Sequence, residues 1–396
     1  MSIKVGICGV GSFANSFIPL FKAHPLVERV ILCDLNAEKL REKSERFEVP
    51  DTCPSLDELC ETDVDAIVVI TQNWLHGPQA VQALRSGKHV YSAVPSAISM
   101  DEITELVQTV EDTGLIYMIG ETSYYHPTAL YCRERFRQGA FGRIVYGEGE
   151  YYHDWDHGLY DVMKWRGGDN WLETAGGPPM HYPTHSVGMI VSVTGAYATH
   201  VSGFGFTDEH EDGIYNPDVN IWHNCFSNES ALFKMSDDSM MRINEFRRIG
   251  HPGRVGMSLY GTEGSYEEQA EAKVWVTKEL SETTDVGDLL AAVGVPAEPD
   301  DEMAAVKTAG THEGVSRMHD VARLPKEFIG LPNGHRGSHQ FLVDDFVNAC
   351  VRNEQPVNNV WQAARYLIPG LIAHESAKCS GELMEVPDLG GGPEVE

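Results

Sequence analysis

The chain has 396 residues, 59 of them acidic against 30 basic, and a formal charge of −29 at neutral pH. That length supports two domains with substantial cores, and that charge argues against nucleic acid and anionic membrane surfaces as partners. Its eight cysteines include no Cys-x-x-Cys, no apolar run reaches membrane-span length and no signal-peptide pattern is visible, so reduced thiols and a cytoplasmic setting are expected.

Ile3 to Cys8 is an apolar run of strand length that leads into Gly9-Val10-Gly11-Ser12-Phe13-Ala14. A helical pattern then carries Phe17, Leu20 and Phe21, and a second apolar run, Val30 to Cys33, ends in Asp34. This is the layout of a dinucleotide-binding βαβ unit. Gly9 lets the chain turn sharply, and Gly11 lets backbone N–H groups of the turn, which continues through Ser12 and Phe13, approach a pyrophosphate. Ala14 lets helix and strand pack closely, with the phosphates at the positive helix end. Asp34 is placed to accept hydrogen bonds from both ribose hydroxyls and to repel a 2′-phosphate, so NAD(H) is expected rather than NADP(H).

Further along, Asn36 caps a helix through Arg46, and Ser55 to Leu59 starts another. Val64 to Ile70 reads as a strand buried on both faces, as parallel sheets require. It opens into the polar loop Thr71-Gln72-Asn73-Trp74-Leu75-His76, on the side of an open α/β sheet where ligands bind; Thr71, Asn73 and His76 are its candidate cofactor contacts. Pro78 to Ser86 is helical, Lys88 to Ser92 is a strand stopping at Ala93-Val94-Pro95, Asp101 to Thr113 is an amphipathic helix, and Ile116 to Gly120 is a strand. The alternation predicts an α/β class with a Rossmann domain over residues 1–123.

Residues 124–396 form the second expected domain, an α+β unit. A helix from Thr128 to Gln138 is followed by strand-period runs at 144–152, 201–206, 230–235, 239–246 and 255–260. A tight turn at Gly261-Thr262-Glu263-Gly264 precedes a further strand, and helices at 338–350 and 360–380 close the fold. A large, mainly antiparallel open sheet is expected, offering one face to a core and one to a partner in a homodimer or homotetramer. Residues 278–330, acidic and weakly periodic, read as a long excursion or lid.

The densest polar stretch runs from Tyr151 to His185. It holds Tyr151, His153, Asp154, His157, Trp165 and Arg166, then Met180-His181-Tyr182-Pro183-Thr184-His185. Hydride transfer at a carbinol needs a group that takes or gives the hydroxyl proton near neutrality, and histidine suits that. His181 and His185 are four apart, and Pro183 would mark a helix start with His185 in its first turn. Zinc gathered by His153, His157, His181 and His185 is the competing chemistry, but hydride transfer does not require it and no metal is assigned. Trp165 among the tryptophans suits a sugar-stacking platform and Arg166 a substrate carboxylate; packing and solvation are the alternative uses.

These motifs resemble the Gfo/Idh/MocA oxidoreductase family over essentially the whole chain. The carriers are the amino-terminal glycine turn, Asp65 to His76, Lys88 to Pro95, Gly139-Ala140-Phe141-Gly142 and Gly261 to Gly264. The family usually has Glu-Lys-Pro where this chain has Ala93-Val94-Pro95, so its nicotinamide-side lysine is replaced by Val94. The family's Asp-x-x-x-His appears as His181 to His185, with only the histidine kept. Val94-Pro95, Glu121, Tyr151, His153-Asp154, Tyr182 to His185 and Gly334 to Gly337 resemble more closely the NAD-dependent glycosidases of glycoside hydrolase family 109. The resemblance implies Glu121, Tyr151, His153 and His185 around a sugar, with Tyr151 and His185 as acid/base groups; Asp154 and Tyr182 are further candidate sugar contacts and His181 a third candidate catalytic group.

The expected activity is NAD(H)-dependent oxidation or reduction of a sugar or polyol derivative, with His185 as acid/base. The alternatives are a redox-neutral glycosidase, which oxidises C3, eliminates the aglycone, adds water and returns the hydride, and a non-enzymatic NAD or sugar sensor.

Overall fold

The computed structural model describes residues 2–270, 272–292 and 311–393. The middle of the acidic stretch expected as an excursion, 293–310, lies outside the described residues. The chain divides into two compact units, one made of Met1–Pro127, Leu289–Ala364 and Leu389–Glu396, the other of Thr128–Asp288 and Arg365–Asp388.

The first unit is built on six strands: β1 (Ile3–Cys8), β2 (Val27–Cys33), β3 (Thr52–Cys53), β4 (Ala66–Val69), β5 (His89–Ser92) and β6 (Tyr117–Ile119). They lie in the order β3-β2-β1-β4-β5-β6, with every pairing parallel. All four residues of β4 are buried, as expected for a strand covered on both faces. Between the strands run α1 (Ile18–Ala23), α2 (Ala37–Phe47), α3 (Leu56–Glu61), α4 (His76–Arg85) and α5 (Met100–Thr113). Three of these helices are started by side chains that accept otherwise unpaired N–H groups. Asn36 accepts from Glu38 and Lys39, Ser55 from Glu58, and Ser99 from Glu102.

Backbone bonds align the chain just past the strands. Gly9 N–H donates to Cys33 O, Ile70 N–H to Cys8 O and Ala93 N–H to Val69 O. The loops that leave β1, β4 and β5 therefore begin side by side on the carboxyl edge of the sheet.

The second unit carries nine strands: β7 (Ile144–Tyr152), β8 (Ala198–Thr207), β9 (Phe226–Met235), β10 (Met240–Phe246), β11 (Arg254–Gly261), β12 (Gly264–Gln269), β13 (Ala272–Thr277), β14 (Thr284–Asp285) and β15 (Met384–Glu385). Their order is β14-β13-β12-β11-β7-β10-β9-β8-β15. Every pairing is antiparallel except β7 with β10, which is parallel. The expected mainly antiparallel sheet thus has one mixed joint at its centre. The helices of this unit include α6 (Pro127–Arg137), α7 (Tyr160–Gly167), α8 (Trp171–Ala175), α9 (Thr184–Thr194) and, from Arg365 on, the helix Val360–Lys378.

Burial along β9 alternates residue by residue, with Ser227, Glu229, Ala231, Phe233 and Met235 inward. One face of the sheet is covered by α9. The other leaves Phe204 and Phe206 on β8 62% and 63% exposed, with Leu232 and Met240 also in solvent.

Candidate active site

The glycine turn follows from steric necessity. Gly9 has φ of 92°, a left-handed conformation, and a Cβ there would lie 2.3 Å from the carbonyl oxygen of Ile70. The turn is held by Asp34, whose Oδ2 accepts from Val10 N–H at 3.0 Å while Oδ1 accepts from Asn36 N–H at 2.8 Å. The helical turn Phe13–Ser16 then begins without a side-chain cap from Ser12, which is exposed, while Ala14 is fully buried. An uncapped first turn beside a tight glycine, with a carboxylate at the end of β2, fits the pyrophosphate and ribose of NAD. Gly9, Gly11, Ser12, Phe13, Ala14 and Asp34 are the residues that would hold it.

The neighbouring loops are tied together by His76. This buried ring places Nδ1 2.8 Å from Pro95 O and Nε2 3.2 Å from Thr71 O. His76 therefore shapes the edge through both loops, next to Asn73, Ala93 and Val94. Glu121 lies at the end of β6, fully buried, and its Oε1 accepts from Ser123 N–H at 2.8 Å. Two histidines not assigned from the sequence also reach the turn. Phe13 meets the rings of His335 and His339 edge-on, with centroids 5.7 and 5.6 Å away. Those two imidazoles pair at 2.7 Å, at the start of helix Gly334–Arg352, where His335 and Arg336 both take left-handed φ.

The second unit gathers the other candidates. Pro183 precedes α9, so His185 sits in its first turn, as its spacing predicted. The ring of Tyr151, from β7, lies 5.2 Å from His185 and 5.9 Å from Tyr182, and Tyr182 lies 5.4 Å from His185. The Tyr151 hydroxyl is paired with His153 Nδ1 at 3.1 Å. Burial, with the positive charges of Arg247 and Arg166 adding to it, pushes His153 down to about 4, so its imidazole is neutral near pH 7.

Beneath this cluster lies a buried ion pair missed from the sequence. Arg247 donates to Glu245 Oε2 at 2.8 Å, and its guanidinium carbon stands 4.7 Å from the centre of the Tyr151 ring. Glu245 also accepts from the hydroxyl of Ser186, next to His185. Burial pushes Glu245 up to about 7 against the pull of Arg247 and Ser186. The signal was present in β10: Met241, Ile243 and Glu245 share one face at period two, so an acid is aimed at a core.

The remaining candidates fall apart from this group. His181 has its ring 5.0 Å from His374, which pairs with the buried Glu229 at 2.8 Å, and burial pushes His181 down to about 3. Asp154 uses Oδ2 to accept from Ile249 N–H and Oδ1 from Asp156 N–H. His157 is exposed and faces Asp154 at 3.3 Å. Among the described residues no group of three or more His, Cys, Asp or Glu side chains is arranged to hold a metal ion. Trp155 is buried with Leu159, Ala175, Ile214 and Tyr215, and Trp171 packs on the same cluster. Trp165 stands out at 50% exposed, beside the exposed Arg166.

Two family descriptions match the chain. "Oxidoreductase family, NAD-binding Rossmann fold" covers residues 3–121, and "Oxidoreductase family, C-terminal alpha/beta domain" covers residues 133–368. A glycosyl hydrolase family 109 protein from Streptomyces filamentosus is 24% identical over 99% of this chain and 78% of its own. Myo-inositol 2-dehydrogenase from Lactobacillus plantarum superposes with a TM-score of 0.69 at 18% identity, covering 98% of this chain and 100% of that one. Levoglucosan dehydrogenase, solved with NADH and levoglucosan, gives 0.74 at 16% identity, again over 98% and 100%. At those identities the two structures show a shared fold. No helix among the described residues is long and apolar enough to cross a membrane.

Proposed function

Because the chain belongs to the Gfo/Idh/MocA family of NAD-binding oxidoreductases, we propose that it transfers hydride at a hydroxyl-bearing carbon of a sugar or polyol derivative. The observation that carries this reading is the cluster of Tyr151, His153, Tyr182 and His185, in which an aromatic wall and titratable groups stand together. NAD, when bound, supplies the acceptor for the carbon's hydride. An imidazole nitrogen of His185 takes the hydroxyl proton as the carbonyl forms, and Tyr151, paired with His153, is the second acid/base group. Glu121, Asp154, Tyr182, Trp165 and Arg166 complete the proposed sugar contacts, Asp154 by ordering its loop, and His181 backs the loop that carries Tyr182. Ala93, Val94 and Pro95 border the nicotinamide side, where Val94 leaves no lysine to share the proton work. The domain reading, a nucleotide domain over 1–123 and a substrate domain over 124–396 with an excursion at 278–330, belongs to the same proposal, with Leu289–Ala364 counted in the compact unit of the nucleotide strands. So do a cytoplasmic location and a homodimer or homotetramer through the sheet face that bears Phe204, Phe206, Leu232 and Met240, which sedimentation of the purified protein would test.

A redox-neutral glycosidase is the second reading, favoured by Val94 and by a family 109 relative matching nearly the full chain. One experiment separates the two. Purified protein is incubated with NAD⁺ and a panel of sugars, polyols and nitrophenyl glycosides. Net NADH from an unsubstituted sugar supports the dehydrogenase, and nitrophenol release that needs the cofactor but forms no net NADH supports the glycosidase. Neither signal across the panel would reject both in favour of a sensor.

A further inference from the structure

We propose that Glu245 and Arg247 are the positioning residues of this site, one buried pair that fixes Tyr151 on one side and the first turn of α9, with His185, on the other. The inference rests on the reading of Tyr151 and His185 as the acid/base groups. It begins from geometry.

Both terminal nitrogens of Arg247 are committed. Its Nη2 donates to Glu245 Oε2 at 2.8 Å and to Pro179 O at 3.5 Å, and its Nη1 donates to the backbone oxygens of Tyr151 and Phe246 at 3.3 and 3.2 Å. Its planar head thereby touches β7, β10 and the turn that leads to Tyr182, while lying over the Tyr151 ring. Glu245 closes the other side. It pairs directly across from Tyr151 in the parallel β7–β10 ladder, and its second oxygen receives the Ser186 hydroxyl.

A buried ion pair is seldom retained for stability alone, because desolvation offsets most of its attraction; a defined arrangement is the better-attested return. Here the arrangement is that of the proposed acid/base groups. Its electrostatic trace falls on His153, which faces Tyr151 from β7, Arg247 from the end of β10, Arg166 from α7, His185 from α9 and the adjacent Asp154. Burial first, and then the positive charge of Arg247, oppose a positive charge on that ring, so His153 stays a neutral partner for the Tyr151 hydroxyl.

The test compares the wild type with Arg247→Lys, with the neutral pair Glu245→Gln/Arg247→Met, and with Tyr151→Phe. The neutral pair avoids stranding one buried charge, and Arg247→Lys keeps charge without the planar fork. First, the His153 ring is titrated by NMR, its signal assigned through His153→Gln. In the neutral pair its pKa should rise by about one unit, the scale of a nearby like charge removed. Second, on the substrate found by the panel, the neutral pair should lose about 10²-fold in kcat with KM changed less than about threefold, and Arg247→Lys should recover part of that loss. An unmoved His153 titration overturns the proposal, with or without a known substrate. Full turnover in the neutral pair, when Tyr151→Phe is slow, also overturns it and leaves the acid/base reading standing. Full turnover in Tyr151→Phe instead removes Tyr151 from the chemistry, and the NMR arm alone then decides the role of the pair.

Discussion

Gly149 lies directly beneath the carbonyl of Ser186: a Cβ built on it would be 2.4 Å from that oxygen. The strand that carries Tyr151 and the helix that carries His185 meet there backbone to backbone. Gly149→Ala has to push α9 off β7. We expect a loss of about 1–3 kcal/mol in a urea melt, with turnover falling and NAD binding retained. Wild-type stability in this variant would mean that α9 is not seated as described.

At the dinucleotide turn, Gly9→Ala meets both a left-handed φ and a backbone oxygen 2.3 Å away. NAD⁺ binding by calorimetry should be lost or reduced at least about tenfold while Asp34→Ala weakens it by about 10- to 100-fold, the worth of charge-assisted hydrogen bonds. Asp34→Ala should also narrow the preference against NADP⁺. Unchanged discrimination in that variant would remove Asp34 from ribose recognition.

Two tryptophans of one segment should behave oppositely. Trp155 is 1% exposed and Trp165 is 50% exposed. Trp155→Ala should cost about 3–5 kcal/mol, whereas Trp165→Ala should stay within about 0.5 kcal/mol of the wild type and act on substrate KM. A stability loss at Trp165 would reassign it to packing.

Stability should depend on pH in opposite senses at two positions. Burial first, with His374 adding to it, pushes His181 from its ordinary 6.5 down to about 3. Below about 6.5 the unfolded chain therefore binds the extra proton, and this group's contribution drains away as pH falls toward 3. In His181→Gln the melting temperature should gain on the wild type as pH is lowered from 7 to 4.5. Glu245 is raised from 4.5 to about 7, so its contribution is full below 4.5 and lost as pH rises through 7. Glu245→Gln should gain on the wild type as pH rises from 5 to 8. A constant offset across pH in either pair would show that the group does not titrate as described.

The nucleotide half of the fold was readable because its signals are local. A strand buried on both faces is an unbroken apolar run, a capped helix begins with Asn or Ser, and Gly9 needs no distant partner to explain it. Boundaries moved by a residue or two, as at α4, which starts at His76 rather than Pro78 because the buried His76 ring packs between two loops. The second half was readable as strands but not as a sheet. β13 (Ala272–Thr277) is hidden by the charged residues it is set among, and the parallel joint of β7 with β10 depends on register between distant segments. The segment around Trp155 read as a polar constellation, yet it folds as short helices over a small apolar cluster. For the same reason His185 and Tyr151 stood out as residue types, while Arg247 and Glu245 needed the strand pairing that turns them toward Tyr151.

The central place of β7 bears on how the protein comes to be made. Both its neighbours, β10 and β11, arrive much later in the chain; the Arg242 that meets Glu148 lies 94 residues on. During synthesis the nucleotide-side strands have their partners within reach early, but the strand bearing Tyr151 has none until residue 246 has left the ribosome, and lacks its second until residue 261 has followed. Pairings between such distant segments form slowly and leave an apolar edge uncovered meanwhile. Truncations ending before β11 should therefore aggregate, and refolding should regain nucleotide binding before turnover.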